Sequence, residues 1–297
     1  MKKSVETEYS KGLIYSKPGV GKTVAMTQLE VHAKKRGCKL LYIDLEGGLK
    51  KRLEIQHPMM SVMRPEKFIE FNDVYNKLDG HLKDIASIRA AVNAKDVAKV
   101  EMLSRKLLTA EAWFSDTTNP EKWYNYIHVV IDSFSETQSS AMDHIVPNTG
   151  FIDIKNPEIQ HWGKNINMVM FMTKAFRDLP INTWFTAHVL DKKDENDAVI
   201  ETVPKFSGKN TPEVICAMLD LVIYYSTLNA GPVSKRVMYF QPLGKASKTV
   251  AKDRFDILGN SINDPDMAVI FEKLGLDCVQ PVITFEEVTE FLNSAKK

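Results

Sequence analysis

Ser16-Lys-Pro-Gly-Val-Gly-Lys-Thr23 follows the apolar run Leu13-Ile14-Tyr15 and precedes a stretch of helical spacing. A glycine-rich turn between a strand and a helix is a place where a chain binds phosphate, because the first turn of the helix has unpaired backbone N–H groups. The backbone of Ser16, Lys17, Pro18, Gly19, Val20, Gly21, Lys22, Thr23 and Val24 would cradle a triphosphate. The Lys22 ammonium reaches the β and γ oxygens and the Thr23 hydroxyl ligates Mg²⁺. Gly19 and Gly21 stand nearest the phosphates, Pro18 stiffens the turn, and Ser16 occupies the place of the usual first glycine.

The segment after the loop puts Ala25, Met26, Leu29 and Ala33 on one helical face, with Lys34, Lys35 and Arg36 in the last turn and Gly37 as a left-handed stop. Lys39-Leu-Leu-Tyr-Ile-Asp-Leu-Glu46 then reads as a strand buried on both faces of a parallel sheet. In such sheets ligands bind outside the carboxyl ends of the strands, which is where Glu46 falls. It can deprotonate or orient the water that attacks the γ-phosphate, or it is a solvated loop carboxylate. Tyr126-Ile-His-Val-Val-Ile-Asp132-Ser133 is a second apolar strand ending in an acid and a hydroxyl, suited to hold the metal through its water shell (Asp132) and to fix the γ-phosphate side (Ser133). Ile181-Asn-Thr-Trp-Phe-Thr-Ala-His188 is another, and its histidine can bond the γ-phosphate and pass the signal to the polar stretch that follows.

Together these residues resemble the RecA-like ATPases, specifically the short phage relatives that act as single-strand-annealing recombinases of the Sak type, often described as AAA-family ATP-binding proteins. The resemblance covers the phosphate loop, Ile43-Asp-Leu-Glu46, Val130-Ile-Asp132-Ser133, the stretch from Gln160-His-Trp-Gly163 to Thr186-Ala-His188, and Ala251-Lys252-Asp253-Arg254. It implies an α/β fold with a largely parallel sheet flanked by helices, ATP and Mg²⁺ as cofactors, and Glu46 as catalytic base. It also implies that His188 couples the γ-phosphate to a DNA-binding loop, and that Lys252 and Arg254 reach a neighbouring subunit's nucleotide. The partners that follow are single-stranded DNA, further copies of the chain in a ring or filament, and a single-strand-binding protein, in the cytoplasm of an infected bacterial host. Two other readings stay open: a hexameric replicative-helicase-like motor, and an ATP-switched module that never touches DNA.

The chain has 297 residues, 44% hydrophobic and 26% charged, with net charge +1. That is enough for one large α/β core. A global basic field is excluded as the source of nucleic-acid affinity. Two local segments remain: one with Lys155, Trp162 and Lys164, the other with Lys192, Lys193, Lys205, Phe206 and Lys209. No apolar run reaches membrane-spanning length, and the first residues lack a signal-peptide core. Cys38, Cys216 and Cys278 have no paired metal spacing, so they read as reduced structural thiols.

About eighty residues separate Glu46 from the Asp132 strand, more than one crossover needs. Within them, Ile85, Ile88 and Val92, then Val100, Leu103 and Leu107, recur at helical spacing. A helical insertion at about 65–120 is expected, packed on the core or serving as an oligomer or partner contact. Ile283-Thr-Phe-Glu-Glu-Val288 reads as a capping box opening a short helix. The expected organisation is a core over residues 1–280 and a helical tail over 281–297.

Overall fold

The computed structural model describes residues 9–111, 122–147, 156–230, 233–243, 248–275 and 283–295. Lys155, Cys278 and the end of the expected insertion lie outside these residues. The phosphate-loop segment runs from strand β1 (Lys11–Ser16) into helices α1 (Lys22–Thr27) and α2 (Leu29–Lys35), then β2 (Lys39–Asp44). Next come α3 (Lys51–Gln56), β3 (Met60–Met63), α4 (Phe68–Asn93), α5 (Val97–Glu111), β4 (Tyr126–Asp132), α6 (Phe134–Ile145) and α7 (Ile159–Asp178). After them follow β5 (Asn182–Lys193), β6 (Val199–Pro204), α8 (Thr211–Met218), β7 (Leu221–Ala230) and β8 (Val233–Tyr239). The chain ends with the short strands β9 (Lys248–Thr249), β10 (Lys252–Asp253) and β11 (Ser261–Asn263), and with helices α9 (Met267–Leu274) and α10 (Phe285–Ala295).

The main sheet has the order β3-β2-β4-β5-β1-β7-β8-β11. It is parallel from β3 to β7 and antiparallel through β8 and β11. β1 and β2 are consecutive but not neighbours, since β4 and β5 lie between them. β1, β2 and β4 are buried along their whole length, as their continuous apolar runs require. Gly12 of β1 is needed for a close approach, because an added Cβ would overlap the Trp184 ring of β5. This is an α/β arrangement with a largely parallel sheet flanked by helices, as the sequence implies.

One face of the sheet packs Phe71, Val74 and Leu78 of α4, Phe134 of α6, Val169, Met172 and Phe176 of α7, and Ile215 of α8. The other packs Ala25 and Met26 of α1, Leu29 of α2, and Ile270 and Phe271 of α9. A satellite cluster gathers Ile85, Ile88 and Ala91 of α4 with Val100, Leu103 and Leu107 of α5, around Trp123. Ile283 and Val288 close it, so the C-terminal helix docks on the helical insertion of its own chain. Its capping box forms: Thr284 N–H donates to Glu287 Oε2 at 2.8 Å and Glu287 N–H to Thr284 Oγ1 at 3.2 Å.

The stretch after His188 reads from sequence as a polar segment, and the structure gives it strand form. β5 continues past the sheet edge to Lys193 and pairs antiparallel with β6. The turn is set by Asp194, whose Oδ1 accepts from the N–H groups of Asn196 and Ala198, and by Asp197 at φ 65°.

Candidate functional site

Strand register brings four sequence-distant residues to one edge. Ser16 aligns with His188, and Asp44 with Asp132. Gly19 at φ 79° and Gly21 at φ 113° adopt the left-handed backbone that aims successive N–H groups inward at the start of α1. Lys22 is buried and donates to Ser16 Oγ at 3.3 Å, so the residue in place of the first glycine supports the ammonium. Burial holds the Lys22 ammonium below the usual lysine range, while Asp132 and Glu46 pull it back up. Lys17, exposed, lies 3.6 Å from Asp191 on the β5–β6 hairpin. Val20 joins the core, and Val24 faces outward at 40% exposure.

Asp132 is fully buried, and three hydroxyls donate to its carboxylate. Thr23 Oγ1 and Tyr42 Oη reach Oδ2, at 2.7 and 2.5 Å, and Thr186 Oγ1 reaches Oδ1. Bonds of this kind to a charged acceptor are worth more than neutral ones and fix the carboxylate's orientation. Glu46 stands beside it on the extension of β2, where the N–H groups of Leu45 and Glu46 both donate to Asp132 O. Its Oε1 accepts from Ser133 Oγ at 2.7 Å and from His188 Nε2 at 2.5 Å. Ser133 Oγ also accepts from Glu136 N at 3.3 Å and so caps α6. His188 Nδ1 is shielded from solvent and has no partner among the described residues.

Lys22, Thr23, Glu46, Asp132, Ser133 and His188 therefore converge. Lys252 and Arg254 do not join them. Lys252 Nζ donates to Cys216 O at 3.1 Å, and Arg254 Nη1 pairs with Asp220 Oδ1 at 2.7 Å, at the amino end of β7 and away from the phosphate loop. Of the nucleic-acid candidates, Trp162, Lys164, Lys205 and Lys209 are exposed. Lys192 and Lys193 are paired with Glu201 and Asp197, at 2.6 and 2.9 Å. Phe206 is only 5% exposed and packs edge-on against Phe134, so its ring is no open stacking platform; its apolar surface is worth more in the core than over a base.

Sequence reading missed Tyr42, Thr186, Asp44 and Arg236. Asp44 accepts from the N–H groups of Gly48 and Leu49 and fixes the turn that carries Glu46. The Arg236 guanidinium lies against the phosphate loop, 3.3 Å from where a Cβ on Gly21 would be. Beside it a small cleft opens between Val24, Gln28, Tyr225 and Asp264.

Hard oxygen donors at Thr23 and Asp132 suit magnesium, a cation that keeps several waters and takes the rest of its shell from phosphate. Among the described residues no cluster of three or more His, Cys, Asp or Glu could hold a metal by itself. No helix among the described residues is long and apolar enough to cross a membrane.

A protein family described as an AAA domain matches residues 8–255. No curated protein matches the chain. Among solved structures it is similar to a KaiC-like protein from the hyperthermophilic archaeon Pyrococcus horikoshii OT3, at 12% identity, TM-score 0.34 and 77% coverage of each chain. It is also similar to the RadB recombinase, at 14% identity and TM-score 0.36, covering 78% of this chain and 81% of that one. The family match spans most of the sheet and every converging residue of the site, so the chain belongs to the AAA domain family.

Proposed function

We propose that this chain is a Mg²⁺-dependent ATPase that acts on single-stranded DNA in phage recombination, annealing or repair. The observation that carries the ATPase reading is the hydrogen-bonded set Ser133–Glu46–His188, placed beside Lys22, Thr23 and Asp132 at one sheet edge. Lys22 neutralises the terminal phosphates, and the loop amides orient them. Thr23 and Asp132 are the residues that would hold magnesium, which would supply neutralisation of phosphate charge there. Glu46 takes the proton of the attacking water. His188 senses the γ-phosphate: a change in its bond to Glu46 moves the end of β5 and the hairpin that continues it.

Assembly head to tail is part of the proposal. Lys252 and Arg254 lie at the end of the sheet opposite their own phosphate loop, which suits groups that complete a neighbour's site. A cation supplied in this way contributes on the order of a thousandfold or more in rate. Mixing Arg254→Ala with Glu46→Gln should then restore turnover that neither variant has alone, because an Arg254→Ala subunit keeps its own Glu46 and receives Arg254 from a Glu46→Gln neighbour. A mixture no more active than the two variants apart would remove the intersubunit role.

One observation favours the ATP-switched reading without DNA. Residues 189–204 carry two lysines against five acids, and both lysines are ion-paired. Titrating a single-stranded oligonucleotide with and without ATP, while following binding and phosphate release, separates the readings. DNA action requires salt-sensitive binding and faster phosphate release on adding strands; unchanged release with no retention leaves only the switch.

A further inference from the structure

Behind His188 lies a cavity of about 420 Å³ between α6, α7 and the segment after β6. Its floor includes Gln138, which is 6% exposed. Gln138 Oε1 accepts the Ser207 backbone N–H at 2.7 Å, and this fixes the amide's orientation. The Nε2 group is thereby left as a buried donor without a partner among the described residues. A buried, unsatisfied donor lining an open cavity costs stability until something accepts from it. Trp162, 41% exposed, forms one wall, with Met142 and Leu190 adding apolar surface.

We infer that this cavity receives an unpaired nucleobase. The inference rests on the single-strand reading proposed above and names the site through which a strand would be felt. A base offers a π face to Trp162, and a carbonyl oxygen or ring nitrogen to Gln138 Nε2. Glu136 and Asp143 on the rim repel a phosphate but accept from exocyclic amino groups, so a neutral heterocycle enters and the backbone stays outside near Lys205. The cavity is also wired to the hydrolytic set. Ser135 Oγ accepts the His188 backbone N–H at 3.1 Å and donates to Lys205 O at 3.1 Å, while the Lys205 N–H donates to His188 O at 2.8 Å. A base seated here presses on the strand end that presents His188 to Glu46.

The test compares oligothymidylate with an abasic oligonucleotide of equal length, by anisotropy and by phosphate release, in wild type, Gln138→Glu and Trp162→Ala. Glu keeps an acceptor for Ser207 but removes the donor. Trp162 is exposed, so its loss spares the fold, and ATP binding checks that each variant is folded. Expected is about tenfold tighter binding of the base-bearing strand by wild type, stimulation of phosphate release by that strand alone, and loss of both differences in each variant. Free thymidine is a third arm. Competition by thymidine that Gln138→Glu abolishes would also support a base pocket, one served by free nucleoside. Equal binding of abasic and base-bearing strands, or a base preference that survives both substitutions, overturns the inference while leaving strand binding intact. A wild type that binds ATP but neither strand nor nucleoside overturns it too. Failure to bind ATP at all instead removes the ATPase reading itself.

Discussion

Replacing Glu46 with Gln removes a base while sparing its neighbours. One oxygen, Oε1, accepts from both Ser133 and His188, and the amide oxygen of Gln can accept the same two bonds. The ends of β2, β4 and β5 should therefore stay in place, and the variant loses only its capacity to take a proton. General bases contribute about 10²–10⁴ in rate, so turnover at saturating MgATP should fall by that factor. Affinity should not fall with it. The substitution removes a negative charge beside the phosphates, and ATP should bind as well as or up to a few times better than to wild type. A second effect follows from Lys22, whose ammonium is held below the lysine range by burial and supported by Asp132 and Glu46. ATP binds the protonated form, so affinity is constant below the free-state pKa of Lys22 and drops by up to about tenfold per pH unit above it. Without Glu46 that alkaline drop should begin at lower pH. Phosphate release and calorimetric titration with ATP across a pH series give both readouts. Turnover within tenfold of wild type, or an ATP affinity weakened more than tenfold, would refute the assignment of Glu46 as base.

Three further outcomes follow from the geometry. Thr186→Val withdraws one of the three hydroxyls that satisfy the buried Asp132 carboxylate, and should cost about 1.5–3 kcal/mol in denaturant unfolding, with a matching loss of Mg²⁺-dependent but not Mg²⁺-independent nucleotide binding; a loss below about 0.5 kcal/mol would mean that this bond is not formed. Gly21→Ala places a side chain at φ 113° against the Arg236 guanidinium, and should weaken ATP binding at least about tenfold, whereas Arg236→Ala combined with it should recover only the steric share. Burial pushes the His81 imidazole down to about 4, opposed by its bond to Tyr124 O. The folded state thus resists protonation: stability is full above the unfolded value of about 6.5 and falls toward pH 4, by about 3 kcal/mol for this group. His128, pushed well below its ordinary value by burial and by His32, acts in the same direction. Melting curves from pH 7 to pH 4 should show the decline, and His81→Gln should flatten part of it.

The phosphate loop, the acid at the end of each of two strands, the histidine at the end of a third and the terminal capping box were all legible in the chain itself. Each is a local pattern: glycines where φ is positive, apolar runs where a strand is covered on both faces, Thr and Glu spaced to satisfy two helix N–H groups. The helical character of α4 and α5 was legible for the same reason, since Ile85, Ile88, Val100 and Leu103 keep helical spacing whatever they pack against. Tertiary structure alone decided the rest. Tyr42 and Thr186 look like ordinary strand residues until β2, β4 and β5 lie side by side and turn both hydroxyls onto Asp132. Arg236 meets Gly21, and Gln138 is left with a donor unpaired among the described residues, only because segments distant in sequence are folded together. Lys192 and Lys193 read as free cations until the hairpin sets them against Glu201 and Asp197. Spacing along a chain encodes which face a residue shows; which partner waits at that face is fixed only when sheet order and register are.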